Sequence, residues 1–276
     1  MTTRSAAIGA VLPEIHRDAL GDGVPRRVAA TVFWLPFLGA VLLAATVAHR
    51  PLFYVLFQED GPIEWTQFAA FLGAALCLAV AAWRLVRHGD HLGALLIGIG
   101  ALGIFGIAGE EISWGQRLLG LETPAALTAV NHQNEINVHN ITAFPVQRIG
   151  NWLQLVLGAA GLLLPWLTRT RKPLVTVRAL RLLSPPLFVT ACFGLLFAYR
   201  ALRFLWPASV DIDVAVKFGE WPELCFALGL LIYGLLLARG LRAGTATGMR
   251  TAAPTGIGGA HGPATTAESD GRVPLS

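Results

Sequence analysis

Six apolar runs, each at or near the length that crosses a bilayer, decide what this chain can fold into: 28–48, 63–83, 92–114, 152–167, 187–206 and 221–238. A bilayer core takes about 20 mostly apolar residues per helix. Of 276 residues, 54% are hydrophobic and 14% charged, against about 25% charged in a soluble domain. So much apolar surface has no single globular core to enter. The expected fold is an all-α, polytopic membrane helix bundle of about six transmembrane helices. A 27-residue polar segment of mixed charge precedes the first run and no small-residue cleavage site follows it, so that run is expected to stay as a helix rather than leave as a signal. Residues 242–276 turn to Gly, Ala, Thr and Pro, which bury too little to offset chain entropy. The expected organisation is an N-terminal arm (1–27), a membrane domain (28–241) with an outer motif loop (115–148), and a disordered tail (242–276).

Orientation follows from Lys and Arg, which stay on the cytoplasmic side. Fifteen of the 21 fall in the N-terminal arm (Arg4, Arg17, Arg26, Arg27), the second loop (Arg84, Arg87), the fourth (Arg169, Arg171, Lys172, Arg178, Arg181) and the tail (Arg239, Arg242, Arg250, Arg272). The other six (Arg50, Arg117, Arg148, Arg200, Arg203, Lys217) lie on the opposite side with eleven of the 17 acids. Both termini are therefore expected in the cytoplasm. The net charge of +4 reads as topology rather than nucleic-acid binding, because the basic residues flank apolar runs. Cys77, Cys192 and Cys225 stand far apart in apolar runs without CxxC spacing, so neither a disulfide framework nor a structural zinc site is indicated. In the third run Gly100, Gly103, Gly106 and Gly109 recur every third residue. Such a stripe lets backbones approach closely in lipid and predicts a central helix.

The unusual polar groups gather toward the outer face, densest over 109–140. If the third helix runs on past the acids, Glu110, Ser113, Trp114 and Arg117 share one side, with Glu111 about a quarter turn away and Gln116 beside them. Carboxylates at a helix C-terminus oppose the macrodipole, and ionisable groups at membrane depth are costly unless paired or used. Further on, Asn131, Gln133, Glu135, Asn137 and His139 alternate at period two, followed by Asn140. An extended segment points all five alternating residues one way; a helix keeps Asn131, Glu135 and His139 together. A carboxylate and an imidazole so placed can act as acid and base or hold a divalent metal, with Glu110, Glu135 and His139 as the ligand set. A polar loop whose amides satisfy its own backbone is the plainer alternative. Asp60–Gly61–Pro62–Glu64 and Glu220–Pro222–Glu223 read as helix starts, as do Thr123 and Pro124 for a short interfacial helix. Glu64 and Glu223 lie one turn inside their helices on the same face as Glu110, and could close a carboxylate cluster with Arg200 and Arg203 as counter-ions.

The pairing of EEISWGQR (110–117) with N-x-Q-x-E-x-N-x-H-N (131–140) resembles a group of uncharacterised bacterial multi-pass membrane proteins. That resemblance covers about a tenth of the chain and implies the bacterial cytoplasmic (inner) membrane but no activity. Three functions fit the residues. One is an enzyme, metal-assisted in hydrolysis or group transfer on a lipid-linked or envelope substrate, with Glu110, Glu111, Arg117, Glu135 and His139 as ligands or acid and base. Another is a transporter using the same carboxylates for a cation or proton. The third is a non-catalytic envelope partner that docks through the motif loop. The partners expected are membrane lipids and such a substrate or envelope protein, with no nucleic acid.

The charge split yields a testable topology. Single cysteines at Ala126 and Ala143 should label with a membrane-impermeant maleimide from the outside; labelling only after the cytoplasmic side is opened would overturn the assignment.

Overall fold

The computed structural model describes residues 3–58, 61–131, 135–138, 141, 146–170, 177–205 and 213–242. Its helices are α1 (Thr3–Gly21), α2 (Arg26–Ala45), α3 (Arg50–Phe57), α4 (Pro62–Arg87), α5 (His91–Glu111), α6 (Gln116–Leu119), α7 (Ala125–Thr128), α8 (Val146–Thr170), α9 (Arg178–Leu183), α10 (Thr190–Leu205), α11 (Asp213–Lys217) and α12 (Glu220–Arg242). Among the described residues there is no strand, only an isolated bridge between Asn131 and Ile141. Among the described residues six helical stretches, carrying α2, α4, α5, α8, α10 and α12, are long and apolar enough to cross a membrane. The protein is thus an all-α membrane helix bundle.

The spans pack in the order α8, α10, α12, α4, α5, with α2 set against α10 and α12. The centre is α12 rather than the glycine-striped third helix. Glycine spacing predicts a close neighbour for α5, but an added Cβ at Gly100, Gly103 or Gly106 meets nothing within 4 Å, and α5 packs chiefly on α4. Close approach happens elsewhere. A Cβ at Gly158 would stand 2.9 Å from the backbone nitrogen of Phe197, and one at Gly161 would run into the Phe193 ring, so α8 and α10 touch along their backbones. At Gly39 the indole of Trp221 fills the notch, and its Nε1 donates to the Pro36 carbonyl at 2.9 Å.

The Arg-rich end is tied by polar contacts. The expected N-terminal arm contains a docked helix: Ile15 and Ala19 of α1 are fully buried. The Asp18 carboxylate accepts from Arg169 Nη2 at 2.5 Å and from the Leu187 amide at 2.6 Å. On α4, Arg84 donates to the Ala238 carbonyl and His88 Nε2 lies 3.3 Å from the Leu241 carbonyl. The Arg84 guanidinium and the His88 ring thereby meet the last turns of α12, where carbonyls lack intrahelical partners and the dipole is negative. Asp90 caps α5 through the Gly93 amide at 3.0 Å and pairs with Arg178 at 2.7 Å. The tail assigned to disorder, apart from Arg242, lies outside the described residues.

This packing separates two kinds of glycine. Gly158→Ala should lose about 1–3 kcal/mol through overpacking, whereas Gly103→Ala should hold or gain up to about 1 kcal/mol of helix propensity. Thermal unfolding in detergent checks the pair, and equal midpoints for both variants would contradict the α8–α10 contact.

Candidate functional site

The third span does not continue past the acids. α5 ends at Glu111, and the chain enters a left-handed turn in which Ser113 has φ 47°, Trp114 φ 55° and Gly115 φ 78°. Only the last is glycine. A left-handed conformation at a residue with a Cβ costs about 1–3 kcal/mol and persists when surrounding contacts fix it. The shared helical face expected for Glu110, Ser113, Trp114 and Arg117 is therefore broken. Trp114 folds back over α5: its Nε1 donates to Glu110 Oε1 at 2.8 Å, and its ring covers Gly109, where a Cβ would lie 2.8 Å from indole carbons. Ser113 turns inward instead. Arg117 follows on α6.

Ser113 meets the second motif. Its hydroxyl donates to Glu135 Oε2 at 2.9 Å, which also accepts from Asn137 Nδ2 at 2.5 Å; that same Nδ2 lies 3.2 Å from Ser113 Oγ. Asn131 Nδ2 donates to the Glu135 carbonyl at 2.9 Å, the Asn137 carbonyl at 3.1 Å and Asn137 Oδ1 at 3.0 Å. All four side chains are buried. Two further clamps hold the loop to the end of α5. Glu110 Oε2 accepts from the Val138 amide at 2.7 Å. Gln116 Oε1 accepts from the Ile136 amide at 2.5 Å, and its Nε2 donates to Thr123 Oγ1 at 2.8 Å. The motif is neither a helix nor a regular strand over its described residues, yet Asn131, Glu135 and Asn137 converge. Gln133, His139 and Asn140 lie outside the described residues. Thr123 does not cap the short helix that follows: α7 has Pro124 as its N-cap, with no side-chain cap hydrogen bond.

A second group lies toward the bundle axis. Glu111 stands within electrostatic reach of Glu223, Glu220, Glu64 and Glu110, so carboxylates from α4, α5 and α12 gather at one end. On the far side Glu223 Oε1 pairs with Arg200 Nη2 at 2.5 Å. Gln154 braces the pair, donating from Nε2 to Glu223 Oε2 at 3.2 Å and accepting from Arg200 Nε at 2.5 Å. Arg203 lies three residues further along α10. Gln67, one turn below Glu64, is fully buried; its Nε2 donates to the Glu220 carbonyl at 2.9 Å, while Oε1 has no hydrogen-bond partner among the described residues. Among the described residues Glu111 takes part in no ion pair or side-chain hydrogen bond. Sequence reasoning omits Gln67, Gln154 and Glu220 from the candidate site. A glutamine inside an apolar run is the signal that could have found the first two.

For the proposed ligand set, Glu110 and Glu135 are both directed to N–H and O–H donors, and among the described residues no three His, Cys, Asp or Glu side chains are placed to hold a metal ion. Compared with family models, curated proteins and solved structures, the chain finds no match.

The clamps predict that Glu110 is a structural acid. Glu110→Ala should remove the acceptor of the Val138 amide and of the indole N–H, both at exposed positions, at about 0.5–1.5 kcal/mol for each hydrogen bond, whereas Glu122→Ala, at an exposed loop position, should change stability little. Limited proteolysis of the motif loop, faster in the first variant alone, is the expected readout; equal rates would class Glu110 with surface charge.

Proposed function

We propose that this is a proton-binding membrane protein of the transporter type, residing in the bacterial cytoplasmic membrane, whose site is the carboxylate group around Glu111. The observation that carries the reading is the setting of Glu111: four other acids within electrostatic reach and no ion pair or hydrogen bond of its own among the described residues, with Gln67, whose buried Oε1 has no partner among them, bonded to the backbone of one of those acids, Glu220. Intramembrane acids that are not paired off mark ion or proton pathways. Carboxylates crowded together relieve their repulsion by holding a proton between them. A proton needs only one oxygen, whereas a metal needs several at a common point, and these side chains stand within electrostatic reach without meeting as a ligand shell. Arg200 balances Glu223, and Glu111 has no ion pair among the described residues.

Proton counting with a pH-indicator dye tests this. An acid pulse on the purified protein should be buffered by about one proton less in Glu111→Gln than in wild type, with Glu122→Gln as the loop control, and liposomes carrying the variant should dissipate an imposed pH gradient more slowly. Equal uptake and equal dissipation would remove the reading. Marked stabilisation of wild type by a divalent ion would favour metal chemistry instead.

One observation favours a second reading, a hydrolase or transferase acting on a lipid-linked or envelope substrate. Ser113 has a strained φ and donates to a buried carboxylate, features that accompany activated nucleophiles. Under that reading a fluorophosphonate probe labels wild type and spares Ser113→Ala. Its metal-assisted form requires Glu110 and Glu135 to exchange their present donors for an ion.

A further inference from the structure

The opposite end of the α4–α5 hairpin carries a feature that the proton site does not use. Between the two helices lies a groove of about 650 Å³. Its floor is made of small residues, Ala79, Ala82, Ala94 and Gly98, and its rims of Leu76, Trp83, Leu102 and Phe105, all four of them exposed on the outside of the bundle. The groove is apolar along its length and reaches His91 at the Arg-rich end. There the guanidinium of Arg87 sits 5.3 Å from the Trp83 ring centroid.

The charges around that end are unevenly committed. Arg84 and His88 turn toward the carbonyls of α12, and the nearby acid, Asp90, is taken by Arg178 and the Gly93 amide. Arg87 is exposed and, among the described residues, has no acidic partner. A free cation is therefore held by an aromatic ring at the mouth of an apolar slot. The α4 side of the slot runs from Ala75 to Val86, about 16 Å at 1.5 Å per residue. One leaflet of a bilayer core is about 15 Å deep. Slot, depth and charge together describe one lipid: an acyl chain as long as one leaflet, with an anionic headgroup at its end.

We infer that the α4–α5 groove binds a single anionic phospholipid from the leaflet on the Arg-rich side, its chain lying over Ala79, Ala82 and Gly98 and its phosphate on Arg87. Dispersion contacts with the small-residue floor hold the chain. The guanidinium supplies the headgroup preference, because a basic side chain favours anionic lipid at the membrane surface. Glycine at 98 has a purpose on this account: a Cβ there would only touch Ala82 at 3.9 Å, but a longer side chain would fill the slot.

Native mass spectrometry of the full-length protein, released from micelles containing equal amounts of phosphatidylglycerol and phosphatidylcholine with identical chains, tests the inference. Wild type should retain one phosphatidylglycerol, preferred by about fivefold as one basic residue provides. Arg87→Ala should bring the two lipids level while keeping a bound lipid. Gly98→Leu should lose both, and Gly106→Leu, at an open glycine outside the groove, should lose neither. Equal retention of the two lipids by wild type, binding untouched by Gly98→Leu, or a lipid-free dimer that marks the groove as an interface between copies, would each overturn it. The wild-type comparison and Arg87→Ala decide the matter even if Gly98→Leu does not fold.

Discussion

The left-handed turn at Ser113–Trp114–Gly115 is what the outer end of the molecule depends on. Two non-glycine residues in that region are costly, and what holds them is a set of contacts on both sides. Trp114 is pinned by Glu110 and by the bare backbone of Gly109, and Ser113 by Glu135 and Asn137. Had α5 continued, Ser113 would have stayed on the face of Glu110 and the motif loop would have lost its anchor. The two acids of the last turn of α5 differ in what they meet. Glu110 accepts N–H donors from the loop and the indole, while Glu111 lies within electrostatic reach of the acids of α4 and α12.

The same dependence explains why α5 stays in place although it has one principal helical neighbour. In lipid there is no hydrophobic force to press helices together, so association rests on close packing and polar contacts. The other spans have the first: α8 and α10 meet at Gly158 and Gly161, and α12 has neighbours on several sides. α5 relies on its ends. Asp90, bonded to Arg178, fixes one end, and the motif loop grips the other through Glu110 and Ser113. Between them its outer face remains open, with Gly100, Gly103 and Gly106 untouched, which leaves the α4–α5 groove free to meet lipid.

The spans were legible because length and hydropathy alone decide whether a segment crosses a bilayer. The interfacial acids were legible for a related reason: a carboxylate at the membrane border needs an explanation, and Arg200 with Glu223 is one such pair. Other features are tertiary and leave weak traces. A glycine stripe states that a neighbour could approach, not that one does, so α5 read as central when it is peripheral. Helical periodicity carried Glu110 through Arg117 as one face, because nothing local marks Ser113 and Trp114 for positive φ; Gly115 is the only hint. The contact of Ser113 with Glu135 joins residues 22 apart, beyond what spacing can show. In α1 the signal was present but hidden by charge: Ile15 and Ala19 stand four apart on one face, with Val11 four residues before Ile15 packed against the same core, a stripe at helical spacing.

How the polar groups divide bears on function more than their number does. The residues that looked most chemical in sequence, the Asn, Gln and Glu of the second motif, are those whose described members hold one another and the backbone in place. A buried polar network in which every member is satisfied rigidifies a structure; to work as a reactive centre it must give up contacts. The carboxylates that looked like helix starts, Glu64, Glu220 and Glu223, do stand in the first turns of α4 and α12, and they also lie within electrostatic reach of an acid that the network leaves out. Chemistry that needs a group able to change its charge is better served by Glu111, whose neighbours repel it, than by Glu135, whose neighbours donate to it. The strained turn thus holds the rigid part of the outer end apart from the part that can respond.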